Sequence, residues 1–108
     1  MALDIRTVVK ANVADITLAG ALDAAAAPHF RQALESVAAD RPQRLVLRLE
    51  GLTYLASAGV RMLIFARQKM APGADIYVVA PQEMVLETLR RTGVHNSFVI
   101  SEQYPAVA

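Results

Sequence analysis

A single serine hydroxyl stands where a strand-like stretch of the sequence passes into a helix-like one. In TYLASAGVRML, residues 53–63, Ser57 lies between two alanines and is followed by a glycine at position 59. A hydroxyl at such a junction can cap the helix, act as a nucleophile, or accept a group that another protein adds. These three kinds of chemistry need different neighbours.

Nucleophilic catalysis is poorly supported by the rest of the sequence. A serine nucleophile needs a base held by a third group, and the two histidines, His29 and His95, are predicted to be half-exposed surface residues. The LASAG stretch lacks the first glycine of G-x-S-x-G, and the chain has no phosphate-binding glycine loop, no H-E-x-x-H and no cluster of metal-ligand type. The sequence therefore predicts a protein that is not an enzyme, with no cofactor and no metal.

The two other roles of the hydroxyl are compatible with each other. A serine just before a helix is a favoured N-cap, which contributes about 1 kcal/mol, and Gly59 would allow close backbone packing. Alternatively, a phosphate on Ser57 would be tolerated by the chain itself, because a helix N-terminus favours an anion. The same phosphate inside a partner's contact surface would be costly to desolvate, which makes a switch.

Hydrophobic periodicity predicts the elements that position Ser57. The order is β-β-α-β-α-β-α-β, an α/β fold with a mixed sheet in which an opening hairpin precedes parallel strands. A short C-terminal helix in residues 101–108 would complete it. The predicted strands are residues 3–10, 12–18 (broken by Gly20), 44–49, 75–80 and 97–100. The predicted helices run from Pro28 to residue 39, from Ser57 to about Met70, and from Pro81 to residue 92, with Gly93 at C′ of the last one.

Composition limits the class of protein. Of 108 residues, 55% are hydrophobic and 19% charged, so we expect one globular domain over residues 1–108. The chain has no cysteine and its start, with an acid at Asp4, is unlike a signal peptide, which favours a cytoplasmic protein. No apolar run approaches the roughly 20 residues of a membrane-spanning helix, so we expect no membrane insertion. A net charge of +1 predicts no direct binding to nucleic acid.

Two stretches, at the separation they have here, resemble a known family. GALDAAAAPHF (residues 20–30) and RLVLRLEGLTYLASAGVRML (residues 44–63) resemble the STAS domain family, the bacterial anti-sigma factor antagonists. The family's hallmarks are a G-x-L-D loop before the first helix and a strand ending in a D-S-S-G or S-S-A-G-like turn. The element order also agrees over nearly the whole chain. The resemblance implies a STAS-like mixed β-sheet flanked by helices.

The resemblance also implies a function in transcription regulation by partner switching. In that family the unphosphorylated antagonist captures an anti-sigma factor and so frees a sigma factor. The anti-sigma factor is also a serine kinase of the histidine-kinase-like ATPase type, and a metal-dependent serine phosphatase reverses the modification. By position, Ser57 is the phosphate acceptor and Gly59 the motif glycine, while Asp23, in the loop that begins at Gly20, supports partner contact or phosphorylation.

The predicted helix after Ser57 has apolar residues around more of its surface than one buried stripe requires. We expect Arg61, Ile64 and Phe65 to lie near the face of Ser57, where Arg61 could pair with a partner's acid or with a phosphate. That Ile64 and Phe65 are instead edge-of-core residues stays open. The predicted partner-binding residues are Asp23, Ser57, Gly59, Arg61, Ile64 and Phe65.

The sequence departs from the family at three positions. Many members have aspartate before the acceptor, where this chain has Ala56, and strand position 48 is often aspartate but is Arg48 here. Losing acids near the acceptor implies weaker kinase recognition, a partner with a different charge pattern, or a chain that is not phosphorylated. Ala58 replaces the second serine and leaves one hydroxyl in the motif.

Two other functions therefore stay open. One is a constitutive STAS subunit of a stress-signalling or lipid-transport assembly that binds without phosphorylation, which Ala56 favours. The other is a small-molecule or nucleotide-binding module, although the sequence has no phosphate-binding loop.

Overall fold

The computed structural model describes residues 2–104, and in this part of the chain the predicted order of strands and helices is confirmed. One element was not predicted, a short 3₁₀-helix before the last strand. The elements are β1 (Leu3–Lys10), β2 (Val13–Leu22), α1 (Ala27–Ala38), β3 (Arg44–Leu55), α2 (Ser57–Lys69), β4 (Asp75–Val79), α3 (Glu83–Arg91), the 3₁₀-helix (Val94–Ser97) and β5 (Val99–Ser101).

The five strands form one mixed sheet, as expected, and their order in the sheet is β1-β2-β3-β4-β5. β1 is antiparallel to β2, and the other three pairings are parallel. Because parallel strands end at the same edge, β2 and β3 finish side by side, with Leu22 opposite Leu55. The backbone N–H of Ala56 donates to the Leu22 carbonyl at 3.0 Å, which joins the entry of α2 to the end of β2.

All three helices pack against one face of the sheet. Alternate side chains of β3, Leu45, Leu47 and Leu49, are fully buried on that face. Phe30 of α1 and Leu63 of α2 meet them in the same core. Full burial of one such side chain contributes about 1.5–3 kcal/mol, so this face holds the helices in place.

The opposite face of the sheet carries a smaller cluster built on charged and aromatic side chains. Tyr77 and Tyr104 pack edge to face, with ring centroids 5.1 Å apart. The Arg44 guanidinium donates to the Tyr104 phenol at 3.0 Å and to the Asp75 carboxylate at 3.3 Å. These two contacts raise the pKa of Arg44 above its already high ordinary value, so its charge is fixed.

Some predicted element boundaries are wrong. Gly20 does not break β2, because its φ of +104° lets the strand run on through a register shift to Leu22. β3 likewise runs on to Leu55. The third helix begins at Glu83 rather than at Pro81, and the last strand begins at Val99 because residues 94–97 form the 3₁₀-helix.

The C-terminal helix predicted in residues 101–108 is not found as far as the described chain extends. Ser101 ends β5, residues 102–104 are not helical, and residues 105–108 lie outside the described part. Within residues 2–104 no helix is both long and apolar enough to cross a membrane.

Candidate functional site

Ser57 is the first residue of α2 and its side chain is exposed. The N-cap is Ala56, in extended conformation with φ −85° and ψ 167°, and no side-chain hydrogen bond caps the helix. The prediction that Ser57 caps α2 is therefore wrong: the chain enters the helix one residue earlier, and an N-cap oxygen works only from the extended residue before the helix. The Ser57 hydroxyl therefore makes no capping hydrogen bond at the start of α2.

Asp23 is the residue that organises the neighbouring loop. Its carboxylate Oδ1 accepts a hydrogen bond from the Ala26 N–H at 2.9 Å, and its carbonyl accepts from the N–H groups of Ala26 and Ala27. Since Leu22 pairs with Leu55, Asp23 leaves the sheet at the same edge as Ala56. Asp23 thus lies in the loop beside the start of α2, half-buried, and holds the turn that leads into α1.

Gly59 brings the first turn of α2 onto the end of β2. A Cβ at this position would lie 2.6 Å from Leu55 Cδ1, 2.7 Å from Leu22 Cγ and 2.9 Å from the Leu22 carbonyl oxygen. Only a residue without a side chain allows this approach. Gly59 is buried, so it lies beneath the exposed surface and sets the depth at which Ser57 sits.

The exposed side of α2 continues from Ser57. Arg61 is exposed, Ile64 is 43% exposed, and Phe65 is half-buried against the core. The Arg31 guanidinium of α1 lies over the Phe65 ring, 4.6 Å from its centroid. Ile64 therefore faces outward and Phe65 forms the edge of the core. The side chains predicted to face the sheet, Val60, Leu63 and Ala66, are buried.

We call Asp23, Ser57, Arg61, Ile64 and Phe65 the Ser57 surface. It spans the loop after β2 and the exposed side of α2, so it is assembled by the parallel pairing of β2 with β3. It combines one hydroxyl, one carboxylate, one guanidinium and partly exposed apolar groups. Arginine and phenylalanine, which are both part of this surface, are enriched at protein interfaces.

Within residues 2–104 the Ser57 hydroxyl has no side-chain hydrogen-bond partner. Among residues 2–104 no histidine hydrogen-bonds to Ser57: His29 is exposed, and His95 Nδ1 lies 3.3 Å from the Leu89 carbonyl oxygen. The described part of the chain also has no group of three or more His, Cys, Asp or Glu side chains that could hold a metal ion.

Arg48 does not lie near Ser57, although the family resemblance led us to expect position 48 close to that serine. It pairs across β2 and β3 with Asp15, with contacts of 2.9 Å, on the face of the sheet away from the helices. Arg48 lies seven positions before Leu55 in β3, which is roughly 20 Å at the usual rise per residue. The family pattern has an acid at position 48 and another at position 56. Only the replacement by Ala56 removes an acid from the edge of the sheet where Ser57 lies.

Two side chains at this end of the fold were not predicted to be part of the site. Tyr54, near the end of β3, is 50% exposed, although its neighbours Leu52 and Leu55 in the strand are buried. Arg31 reaches Phe65 from a different helix. The alternation of buried and exposed residues in β3 is interrupted by register shifts, so it does not predict which way Tyr54 faces. The contact of Arg31 with Phe65 joins two helices, and the periodicity of one helix cannot indicate it.

Comparisons with known proteins agree on one family. The STAS domain family model matches residues 4–108. The chain is 27% identical over 87 residues to the anti-sigma-F factor antagonist RsfB of Mycobacterium tuberculosis, covering 81% of this chain and 71% of that protein. These figures describe similarity over most of both chains.

Two solved structures have the same fold. The crystal structure of an anti-sigma factor antagonist from Mycobacterium paratuberculosis superposes with a TM-score of 0.87 at 24% identity, covering 94% of this chain and 87% of that one. The Bacillus cell fate determinant SpoIIAA in its phosphorylated form superposes with a TM-score of 0.70 at 16% identity, covering 94% and 93%.

Proposed function

The chain belongs to the STAS domain family, and from that membership we propose that it is an anti-sigma factor antagonist switched by phosphorylation of Ser57. With a free hydroxyl at Ser57 it binds an anti-sigma factor, so that a sigma factor is released. With a phosphate there it does not bind. The names of RsfB and of the Mycobacterium paratuberculosis relative support the first part, and SpoIIAA, described in a phosphorylated form, supports the second.

The observation that carries the proposal is that the Ser57 hydroxyl is exposed and does not cap α2. A phosphate on this oxygen displaces no native hydrogen bond of the helix terminus. It also lies at the positive end of the helix dipole, which favours a dianion. The modification therefore leaves the fold of the chain intact.

The effect on a partner is the opposite. Ser57 shares its surface with Ile64, which is 43% exposed and suited to burial under a partner. A partner that covers both would bury the phosphate, and an uncompensated buried charge costs about 3–5 kcal/mol. The chain and its complex thus respond differently to one added group, which is what a switch requires.

The modification needs a kinase that supplies everything except the hydroxyl. The Ser57 oxygen attacks the γ-phosphorus of ATP, the new Oγ–P bond forms as the bond to the ADP oxygen breaks, and the hydroxyl proton passes to a base of the kinase. The proposed kinase is the anti-sigma factor itself, of the histidine-kinase-like ATPase type, and a serine phosphatase removes the phosphate. The proposal implies that the chain acts in the cytoplasm.

Incubation with ATP and the cognate anti-sigma kinase tests the proposal. We expect mass spectrometry to find one added phosphate on the wild-type chain and none on Ser57→Ala. Ser36→Ala is the matched control, because Ser36 is also an exposed helical serine, and it should be labelled like the wild type.

Labelling of Ser57→Ala to the wild-type level would contradict the assignment of Ser57. A wild-type chain that stays unlabelled yet binds its partners would contradict the switch and favour a constitutive subunit of a larger assembly. Ala56, where many family members have an acid, makes this second outcome the alternative to exclude.

A further inference from the structure

Arg61 is a cation for which the fold provides no partner within residues 2–104. Its side chain is exposed, and no ion pair, hydrogen bond or aromatic contact involves it in this part of the chain. Arg67 on the same helix, by contrast, donates to the carbonyls of Ala71 and Ala74 at 2.6 and 2.8 Å. Arg67 is thus used by the fold, whereas Arg61 is available to something else.

The position of Arg61 relative to Ser57 favours contact with a group on the serine oxygen. The two residues are four apart in α2 and lie on the same side of the helix. Side chains of a helix generally lean toward its N-terminus, so a long side chain at position 61 can reach the turn that begins at Ser57. An anion placed four residues before a cation is also the more favourable order for a helical ion pair.

The charges of α2 indicate what Arg61 contacts when Ser57 is unmodified. The helix SAGVRMLIFARQK contains three basic residues and no acidic one. Arg67 donates to backbone carbonyls, so the exposed cations of α2 are Arg61 and Lys69. They suit an acidic surface, and a guanidinium pairs with a carboxylate through charge-assisted hydrogen bonds.

We propose that Arg61 is the counter-charge of the Ser57 switch. It pairs with a carboxylate of the partner while Ser57 carries a hydroxyl, and with the phosphate on Ser57 after modification. Phosphorylation then does two things at once: it adds a dianion to the docking surface and withdraws a docking cation from it, leaving the partner's acid unpaired. The inference rests on the proposed function for the partner, but the pairing with phosphate can be tested without one.

The first test uses a chain with phosphoserine installed at position 57 during synthesis, so that no kinase is needed. The phosphorus NMR signal is titrated with pH in the wild type, Arg61→Gln and Arg90→Gln, the last being a matched control on the exposed side of α3. A nearby guanidinium favours the doubly charged phosphate and lowers its second pKa. Asp23 is present in all three chains, so its charge produces no difference between them.

We expect the midpoint of the Arg61→Gln titration to lie at a higher pH than those of the wild type and Arg90→Gln. The difference should disappear in 1 M salt, where the Debye length falls to about 3 Å. Coincident midpoints for the wild type and Arg61→Gln at low salt would overturn the inference, while leaving phosphorylation of Ser57 as a switch untouched.

The second test measures binding of the unmodified chain to the cognate anti-sigma factor. Arg61→Gln should weaken binding about tenfold, and Arg90→Gln should not change it. In a Ser57→Glu background Arg61→Gln should weaken binding by about twofold or less, because Arg61 already forms an ion pair with the glutamate. Equal affinity of the wild type and Arg61→Gln would overturn the inference. If the anti-sigma factor does not bind the wild type at all, the proposed function fails, and the phosphorus titration still decides whether Arg61 pairs with phosphate.

Discussion

Ser57 and Asp23 differ in what they contribute to the fold. Ser57 sits at a helix start without capping it, whereas Asp23 accepts the Ala26 N–H and holds a turn. A serine at the true N-cap and a serine one residue later look almost identical in a sequence. The dihedral angles of Ala56 decide between them, and they depend on the pairing of β3 with its neighbours.

Substitution of these two residues should separate function from stability. We expect Ser57→Ala to change the free energy of unfolding by less than about 0.5 kcal/mol, because no cap bond is lost. Asp23→Ala should lower it by about 1 kcal/mol, because the Ala26 N–H loses its acceptor. Urea denaturation of both variants measures the difference, and a Ser57→Ala chain destabilised as much as Asp23→Ala would contradict the assignment.

The residue types of the candidate site were predictable, whereas the role of each depended on the fold. The junction of a strand-like and a helix-like stretch indicated Ser57, and the family resemblance indicated Asp23 and Gly59. Helical spacing placed Arg61 on the side of Ser57. The structure brings Ser57, Gly59 and Asp23 to one edge of the sheet. The sequence could not indicate that Arg48 faces away, paired with Asp15, since a register between two strands is not local information.

At the scale of elements, the contact between the first turn of α2 and the end of β2 sets the position of the hydroxyl. Gly59 permits that contact, because a Cβ there would lie within 3 Å of Leu22 and Leu55. Sequence periodicity predicted both elements. It did not predict that β2 passes through Gly20 to reach this contact, because a glycine can equally end a strand or let it bend.

Gly59→Ala should therefore destabilise the chain by about 1–2 kcal/mol, the strain of overpacking being partly offset by the better helix propensity of alanine. Gly73→Ala is the matched control, since a Cβ there would meet nothing within 4 Å. Thermal and urea denaturation of both variants compare them. If Gly59→Ala were as stable as Gly73→Ala, the close approach of α2 to β2 would not be what Gly59 provides.

At the scale of the whole molecule, the two faces of the sheet have different tasks. The face covered by helices carries the apolar core, and the other face carries the Arg44–Asp75 and Arg48–Asp15 pairs. The Ser57 surface lies at the carboxyl edge between β2 and α2, outside the core and away from these pairs. We therefore expect a charge added at this edge to change what the molecule binds without changing how it folds.

Comparison of Ser57→Glu with the wild type, in binding to the cognate anti-sigma factor, tests this separation most directly. Ser36→Glu adds the same charge to an exposed helical serine of α1 and serves as the control. We predict that Ser57→Glu weakens binding about 100-fold by calorimetric titration, with a melting temperature within about 2 °C of the wild type, and that Ser36→Glu binds normally. Undiminished binding by Ser57→Glu, or a chain that unfolds when it carries the charge, would contradict the proposed switch.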